Sequence, residues 1–411
     1  MKRILYAIAI TIITILFTAC VKNIEVSDKS DTSINNLNIN YSTYGVSSDD
    51  GYYDFLVKEQ DYYNIVYTDF YSMNSMFLCP NPQCAHNNDT CPSYIINKST
   101  GTIPYVLGDK LCLIYASSSS DGTILPRIDT MDLNGANSKT IKTFSADRRF
   151  YKPVINDEQN LYLLSTSTDE TDGKIKLIYE ILKCDILSGE CEIIYKDSSQ
   201  LFIMGCVEDN ILFKKFSPTA EHELYYLSTT DNEAKLIKSW QNKDIQSYIF
   251  KNLMYYFDTD GRLFKLDFLT NEEVLLQENI YELFSNENDI EPDVTFEYAD
   301  ENGLILEFTY YDKWSDSSYN KLYAVNMQNK ESYEFTLVKE DDRKGHINVI
   351  EIVGENYIVN LGSKKQKMNF VSSEGIIQSY NMSIPAYGII AKDDYWNNKL
   401  IFIEINYDQL K

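Results

Sequence analysis

The sequence predicts an all-β protein, a single β-propeller of seven blades that follows a leader and a tether. Three observations predict it. A hairpin signature at Ile178–Tyr195 returns in weaker copies along the chain. Aromatic residues are abundant, with 33 Tyr and 19 Phe, which favours strands. No long stretch beyond the leader carries the apolar spacing of a helix.

In the clearest copy, two apolar β-branched runs flank Asp185-Ile186-Leu187-Ser188-Gly189-Glu190. Asp and Ser side chains bond their own backbone in such a turn, and Gly189 supplies the positive φ of a tight loop. The residues matching Asp185 are Asp69, Asp132, Ser228, Asp267, Asn326 and Ser372. Their spacing averages about fifty residues, which suits four strands plus loops. Blade four, for example, reads as strands at Leu201–Val207, Ile211–Phe216, Glu223–Ser228 and Ala234–Ser239. Seven anchors give seven blades; the loose match leaves six or eight open, and a pair of β-sandwiches is the alternative architecture. The ring is expected to close by a blade shared between Tyr52–Val57 and the terminal run Lys399–Tyr407, since closure removes open sheet edges. Strand order places the insertions Cys79–Thr102, Ser117–Pro126, Thr166–Lys174 and Tyr311–Asn320 on one face, the expected binding surface.

Residues 1–19 read as a signal peptide. Lys2 and Arg3 precede the apolar run Ile4–Ala19, which is short for a membrane span. The run closes on Leu16-Phe17-Thr18-Ala19-Cys20, which resembles the lipobox of bacterial lipoproteins, with Phe17 in place of the usual aliphatic residue. That resemblance implies acylation of Cys20, a lipid anchor in the cell membrane, and an extracytoplasmic location. An ordinary secretory signal with an incidental Cys is the alternative. Residues 20–48 are rich in Ser, Asn, Asp and Thr without a sustained period and read as a flexible tether. Residues 49–411 then form the propeller. The net charge of −24 excludes a nucleic-acid partner, because phosphate binding needs a basic footprint.

The densest chemical signal is Cys79, Cys84, His86 and Cys91, spaced C-x4-C-x-H-x4-C. Three thiolates and an imidazole suit a closed structural Zn²⁺ site. A disulfide is the rival, since an extracytoplasmic compartment permits one. Cys184 and Cys191 flank the Asp185–Glu190 turn and form a second candidate disulfide if Asp185 pairs Glu190. Cys112 and Cys206 sit in apolar runs as expected buried thiols. His222 and His346 lie in polar stretches and read as surface residues. Trp240, Trp314 and Trp396 are expected to fill gaps between blades.

The Leu-Cys-x4-Cys-x-His-x4-Cys segment after a first propeller hairpin, together with the lipobox and the repeats, resembles a group of poorly characterised lipoproteins of anaerobic Gram-positive bacteria. Their heads are similar to TolB-like and low-density-lipoprotein-receptor-type propellers. The resemblance implies no established activity.

Catalytic signatures are absent from the sequence: there is no G-x-S-x-G, no H-E-x-x-H and no Gly-rich phosphate loop. The expected function is therefore binding or scaffolding through the loop-rich face, toward a protein, peptide or glycan. The competing reading is a glycan hydrolase or lyase. It would place two carboxylates with perturbed pKa values in the central funnel.

Overall fold

The computed structural model describes residues 37–40, 45–59, 62–96, 100–171, 173–216, 222–240, 246–258, 260–283, 292–311, 318–327, 331–339, 345–371, 377–407 and 410. All of them belong to one unit, Thr32–Lys411. The signal segment and Cys20 lie outside the described residues, as does Trp314.

Seven antiparallel sheets follow one another along the chain, the arrangement of a seven-bladed propeller. The first comprises β2 (Val46–Ser47), β3 (Gly51–Glu59), β4 (Tyr62–Asp69), and an outer strand in two pieces, β5 (Ser75–Phe77) and β6 (Tyr94–Ile96). The inner strands of blades two to seven are Thr102–Leu107, Arg149–Asn156, Gln200–Val207, Ser247–Phe250, Asp293–Ala299 and Asn348–Val353, the second of these carrying a further short strand on its inner edge. Blade four is Gln200–Val207, Asn210–Phe216, His222–Ser228 and Ala234–Trp240, within one or two residues of the sequence reading.

Each blade buries both faces against its neighbours, so the core is seven apolar clusters, one per blade interface. Trp240 fills the interface of blades four and five, and Trp396 that of six and seven. Cys112 and Cys206 are buried thiols, both pushed up to about 12 by that burial. His222, expected at the surface, is buried, its ring 4.3 Å from Phe216. The apolar strand around it wins over the polar residues that precede it in sequence.

The repeated turn has a shared construction. Asp185 Oδ1 accepts the N–H groups of Leu187 (2.9 Å) and Ser188 (2.8 Å), and Asp267 Oδ1 accepts that of Leu269 (2.8 Å). The next residue then donates its N–H to the turn joining the two inner strands of the same blade. Phe70 bonds Asp50, Ile186 bonds Gln159, Thr229 bonds Asp209, Phe268 bonds Asn252 and Met327 bonds Asn302. The anchoring side chain thus closes its own turn, and the following backbone N–H ties that turn to the other one on the same face, here called the turn face. Gly189 has φ +72°, and a Cβ there would meet Ile141 O at 2.3 Å. A disulfide joins Cys184 to Cys191, which pair directly across the hairpin.

Three expectations need correction. Six anchors lie at the turn between third and fourth strands; Ser372 lies outside the described residues, and chain order puts it between the second and third strands, Asn356–Val371 and Ile377–Ala391. Ser-Ser-Glu-Gly turn chemistry serves either face; only the number of preceding strands distinguishes them. In blade seven the outer connection instead carries the helix Lys392–Trp396.

The closing blade is not shared. β2 supplies blade one with its own inner strand, and Phe402–Glu404 completes blade seven. The ring closes by packing. Tyr52, Leu56 and Phe70 bury against Tyr387, Ile389, Ile405 and Tyr407. Asn406 bridges Met73 O and Ser75 N at 2.8 Å each.

The stretch expected to be tether up to residue 48 contains ordered structure. β1 (Asn38–Asn40) pairs antiparallel with the inner strand of blade three, Asn38 facing Asn156 and Asn40 facing Val154. Leu37 is buried and donates its N–H to Glu208 O (2.9 Å). Leu37, Ile39 and Val46 are too few and too far apart to register as a period.

Candidate metal centre and the central channel

The Cys/His segment is an excursion from the middle of one strand. β5 pairs Val66–Thr68 of β4, and β6 pairs Tyr62–Asn64, so both continue the same outer edge. Leu78 N bonds Ile65 O (2.9 Å) and Ile65 N bonds Ser93 O (2.7 Å), stitching the two ends of the excursion to one residue. Short turns shape it. Cys84 N bonds Asn81 O, and Cys91 N bonds Asn88 O, both at 3.1 Å. The buried Asn64 side chain reaches up from β4, donating to His86 O and to Ser93 Oγ, each at 3.1 Å. His86 itself takes φ +52° and lies 4.7 Å, ring to ring, from Phe77.

These constraints converge the four side chains. One donor atom from each of Cys79, Cys84, His86 and Cys91 lies within 4.8 Å of the others. His86 Nδ1 is 3.3 Å from Cys91 Sγ, and the His86 N–H points at Cys84 Sγ (3.4 Å). The three sulfurs remain free thiols. Around a tetrahedral ion, ligand atoms sit about 3.5–3.8 Å apart, so the donor set fits a four-coordinate metal. Burial, then the neighbouring Cys91 and Cys84, push the Cys79 thiol up to about 11. Metal binding there would therefore release protons.

The second site lies in the channel on the propeller axis. β-Bulges interrupt the pairing of four inner strands, at Tyr151/Val154, Ile203/Gly205, Phe296/Tyr298 and Val349/Glu351. A bulge re-aims side chains, and Pro153, Met204, Glu297 and Ile350 from these bulges line a cavity of about 1140 Å³. Leu37, Asn38 and Ile39 of the N-terminal stretch line it too. Glu351 also lines this cavity, and burial raises its carboxyl to about 7. Asp54 is likewise raised to about 7 by burial, against hydrogen bonds from Phe55 N–H and Tyr387 and the charge of Lys152. Lys152 is lowered to about 8 by burial.

His346 is not a lone surface residue. Its Nε2 lies 3.0 Å from Glu297 Oε2 and 2.8 Å from Asn348 Nδ2. Glu307, opposite Thr295 on the next strand of blade six, completes a second cluster of metal-ligating type and is hydrogen-bonded by Asn320. Burial opposes ionisation of Glu297, but His346 outweighs it and holds the carboxyl below its ordinary value. Burial and then Glu297 raise Glu307. Sequence reasoning missed this cluster because its members come from two strands of blade six and from a bridge residue just before the first strand of blade seven. No local spacing links them.

No family model matches the chain, and no curated protein matches it. Among solved structures it is similar to an oligogalacturonate lyase in complex with manganese, at 11% identity and a TM-score of 0.47, over 88% of this chain and 92% of that one. It is similar to a prolyl endopeptidase at 10% identity and a TM-score of 0.49, over 91% of this chain and 58% of that one. TolB from Acinetobacter baumannii gives 11% identity and a TM-score of 0.35, over 85% and 76%. The chain thus spans little more than half of the endopeptidase. At this likeness no activity carries over, and the propeller assignment rests on the seven sheets themselves.

Proposed function

We propose that this chain is a lipid-anchored, extracytoplasmic propeller that binds a partner protein or glycan through the face opposite its turn face. One observation carries the reading. The hairpin Asn160–Thr171/Lys174–Asp185 and that of Gly303–Tyr311/Ser318–Asn326 lengthen toward this face and end in exposed apolar groups. Ile175 is 76% exposed, Leu177 47%, Tyr311 54% and Tyr319 47%. Rigid strands presenting apolar and aromatic groups to water form the ordinary core of a recognition surface. Cys79, Cys84, His86 and Cys91 serve this head as a structural Zn²⁺ clip, four protein ligands leaving no position for a reacting water.

The test is capture from cell-envelope extract and a glycan array by the full chain, compared with an Ile175→Ser/Leu177→Ser variant. Loss of capture in the variant supports the reading; equal capture sinks it. Cys20→Ala should move the protein out of the membrane fraction and abolish labelling by a fatty-acid analogue. Purification without added metal should give about one zinc per chain and three chelator-released thiols.

A glycan hydrolase or lyase is the second reading, favoured by the meeting of Glu297 and Glu307 beside the channel. One carboxylate oxygen of each lies within 4.8 Å of the other. Paired acids of glycosidases stand about 5–9.5 Å apart to admit the sugar and water. Turnover of any glycan that fails in a Glu297→Gln variant would restore that reading.

A further inference from the structure

We propose that Glu297, Glu307 and His346 form a three-ligand site for a divalent cation of the Mn²⁺ or Zn²⁺ class, open to the central channel. The site is separate from the Cys/His excursion and independent of the binding role.

The geometry points to a shared ion. Glu297 is the residue left unpaired by the bulge between Phe296 and Tyr298, so the backbone itself turns its carboxylate toward the next blade. There it meets His346, which enters blade seven through a bridge to Val338. One donor atom from each of the three residues lies within 4.8 Å of the others. Ligands at about 2.1 Å from an ion and at right angles are about 3.0 Å apart. The His346 Nε2 to Glu297 Oε2 distance is 3.0 Å.

The polar groups around Nε2 make the same demand. An imidazole nitrogen has one in-plane position, holding either a proton or a lone pair. If Asn348 Nδ2, at 2.8 Å, donates to that lone pair, the lone pair also confronts the Glu297 oxygen. If Nε2 carries a proton, Glu297 is served, but a second carboxylate, Glu307, remains within 4.8 Å of it. A cation at the meeting point receives all three donors and removes both conflicts. Asn320, on Glu307, and Asn348 then act as the outer amides that orient ligands.

One nitrogen and two oxygens suit borderline and hard divalent ions, in contrast with the soft sulfurs at Cys79, Cys84 and Cys91. Three protein ligands leave coordination positions free. Glu297 and His346 line the channel, so those positions face its lumen, where an anionic or carbonyl-bearing group of a bound molecule could complete the shell.

The probe is Mn²⁺ alone, which thiolate sites disfavour. Loss of the free-ion paramagnetic signal, titrated against the full chain, should reveal one site. Glu307→Gln and Glu297→Gln should each weaken it by more than the roughly tenfold cost of losing an outer ligand. Cys79→Ser should leave it intact. As a measurement free of substitutions, Mn²⁺ should raise the melting temperature of the wild-type protein, because ligands of the folded state stabilise it. Absence of both the signal loss and the melting shift at about 1 mM Mn²⁺ would overturn the site. Binding unchanged in Glu307→Gln would do the same, leaving a proton shared among the three side chains as the account.

Discussion

The Cys/His excursion and the Glu/His cluster are both compact groups of metal-ligating side chains, but they are built in opposite ways. The first draws four ligands from thirteen consecutive residues hung on the outer edge of blade one. The second draws three from two blades and depends on a bulge and on how the blades pack. The excursion can therefore loosen without disturbing the ring, whereas the cluster exists only while blades six and seven are docked. Local contacts make a site legible in sequence and dispensable to the fold; long-range contacts do the reverse.

Truncation before Lys399 should separate the two most strongly. It removes Ile405, Tyr407 and Leu410, all buried between blades seven and one. At about 1.5–3 kcal/mol for each buried side chain, the loss is on the order of 5 kcal/mol. Denaturant titration should show global unfolding at a much lower midpoint, with the cluster lost as well. Replacing residues 80–90 by a short turn should shift that midpoint by less than about 1 kcal/mol, the range of surface changes. Equal effects would erase the distinction.

The next effect concerns the channel. Glu351 holds its proton to about pH 7 in the folded protein against 4.5 ordinarily, because burial disfavours its charge. The folded state then binds more protons than the unfolded one between these values. Its contribution is favourable at low pH and is lost as pH rises from about 4.5 to 7. Asp54 acts in the same direction; Lys152, lowered to about 8, acts oppositely only above that pH. Glu351→Gln should raise stability at pH 7.5 by about 2 kcal/mol and flatten the pH dependence measured by chemical denaturation. A variant with an unchanged slope would place the titration elsewhere.

The smallest effect should be chelation. Stripping metal from the excursion should raise amide exchange in residues 79–92 while the inner strands keep their protection. Loss of protection throughout the ring would make the clip a determinant of the whole fold.

The blades were legible because their hairpins repeat an Asp, Asn or Ser whose side chain closes a tight turn, as Asp185 and Asp267 do. That demand is local, and it fixed six of the anchors. The seventh failed because turn chemistry does not encode which face a turn occupies. The excursion was legible for the reason given above, its ligands being adjacent in sequence. Glu297 was not: a bulge is a mismatch between two strands, and neither strand alone records it. β1 escaped notice because three residues pairing with Val154–Asn156 need no pattern of their own.

β1 also has a mechanical meaning. Leu37 meets the ring at Glu208, on the turn face, and Asn38–Asn40 run inward along Val154–Asn156. Antiparallel hydrogen bonds lie across the strand direction. Tension drawn outward through the chain before Leu37 would load those rungs in shear, all together, rather than peel them singly. Under such a load β1 would act as a hook seated in the channel wall. Traction on it would be transmitted to the blade-three inner strand and to the lumen that β1 helps to line, while the opposite face stays free of load.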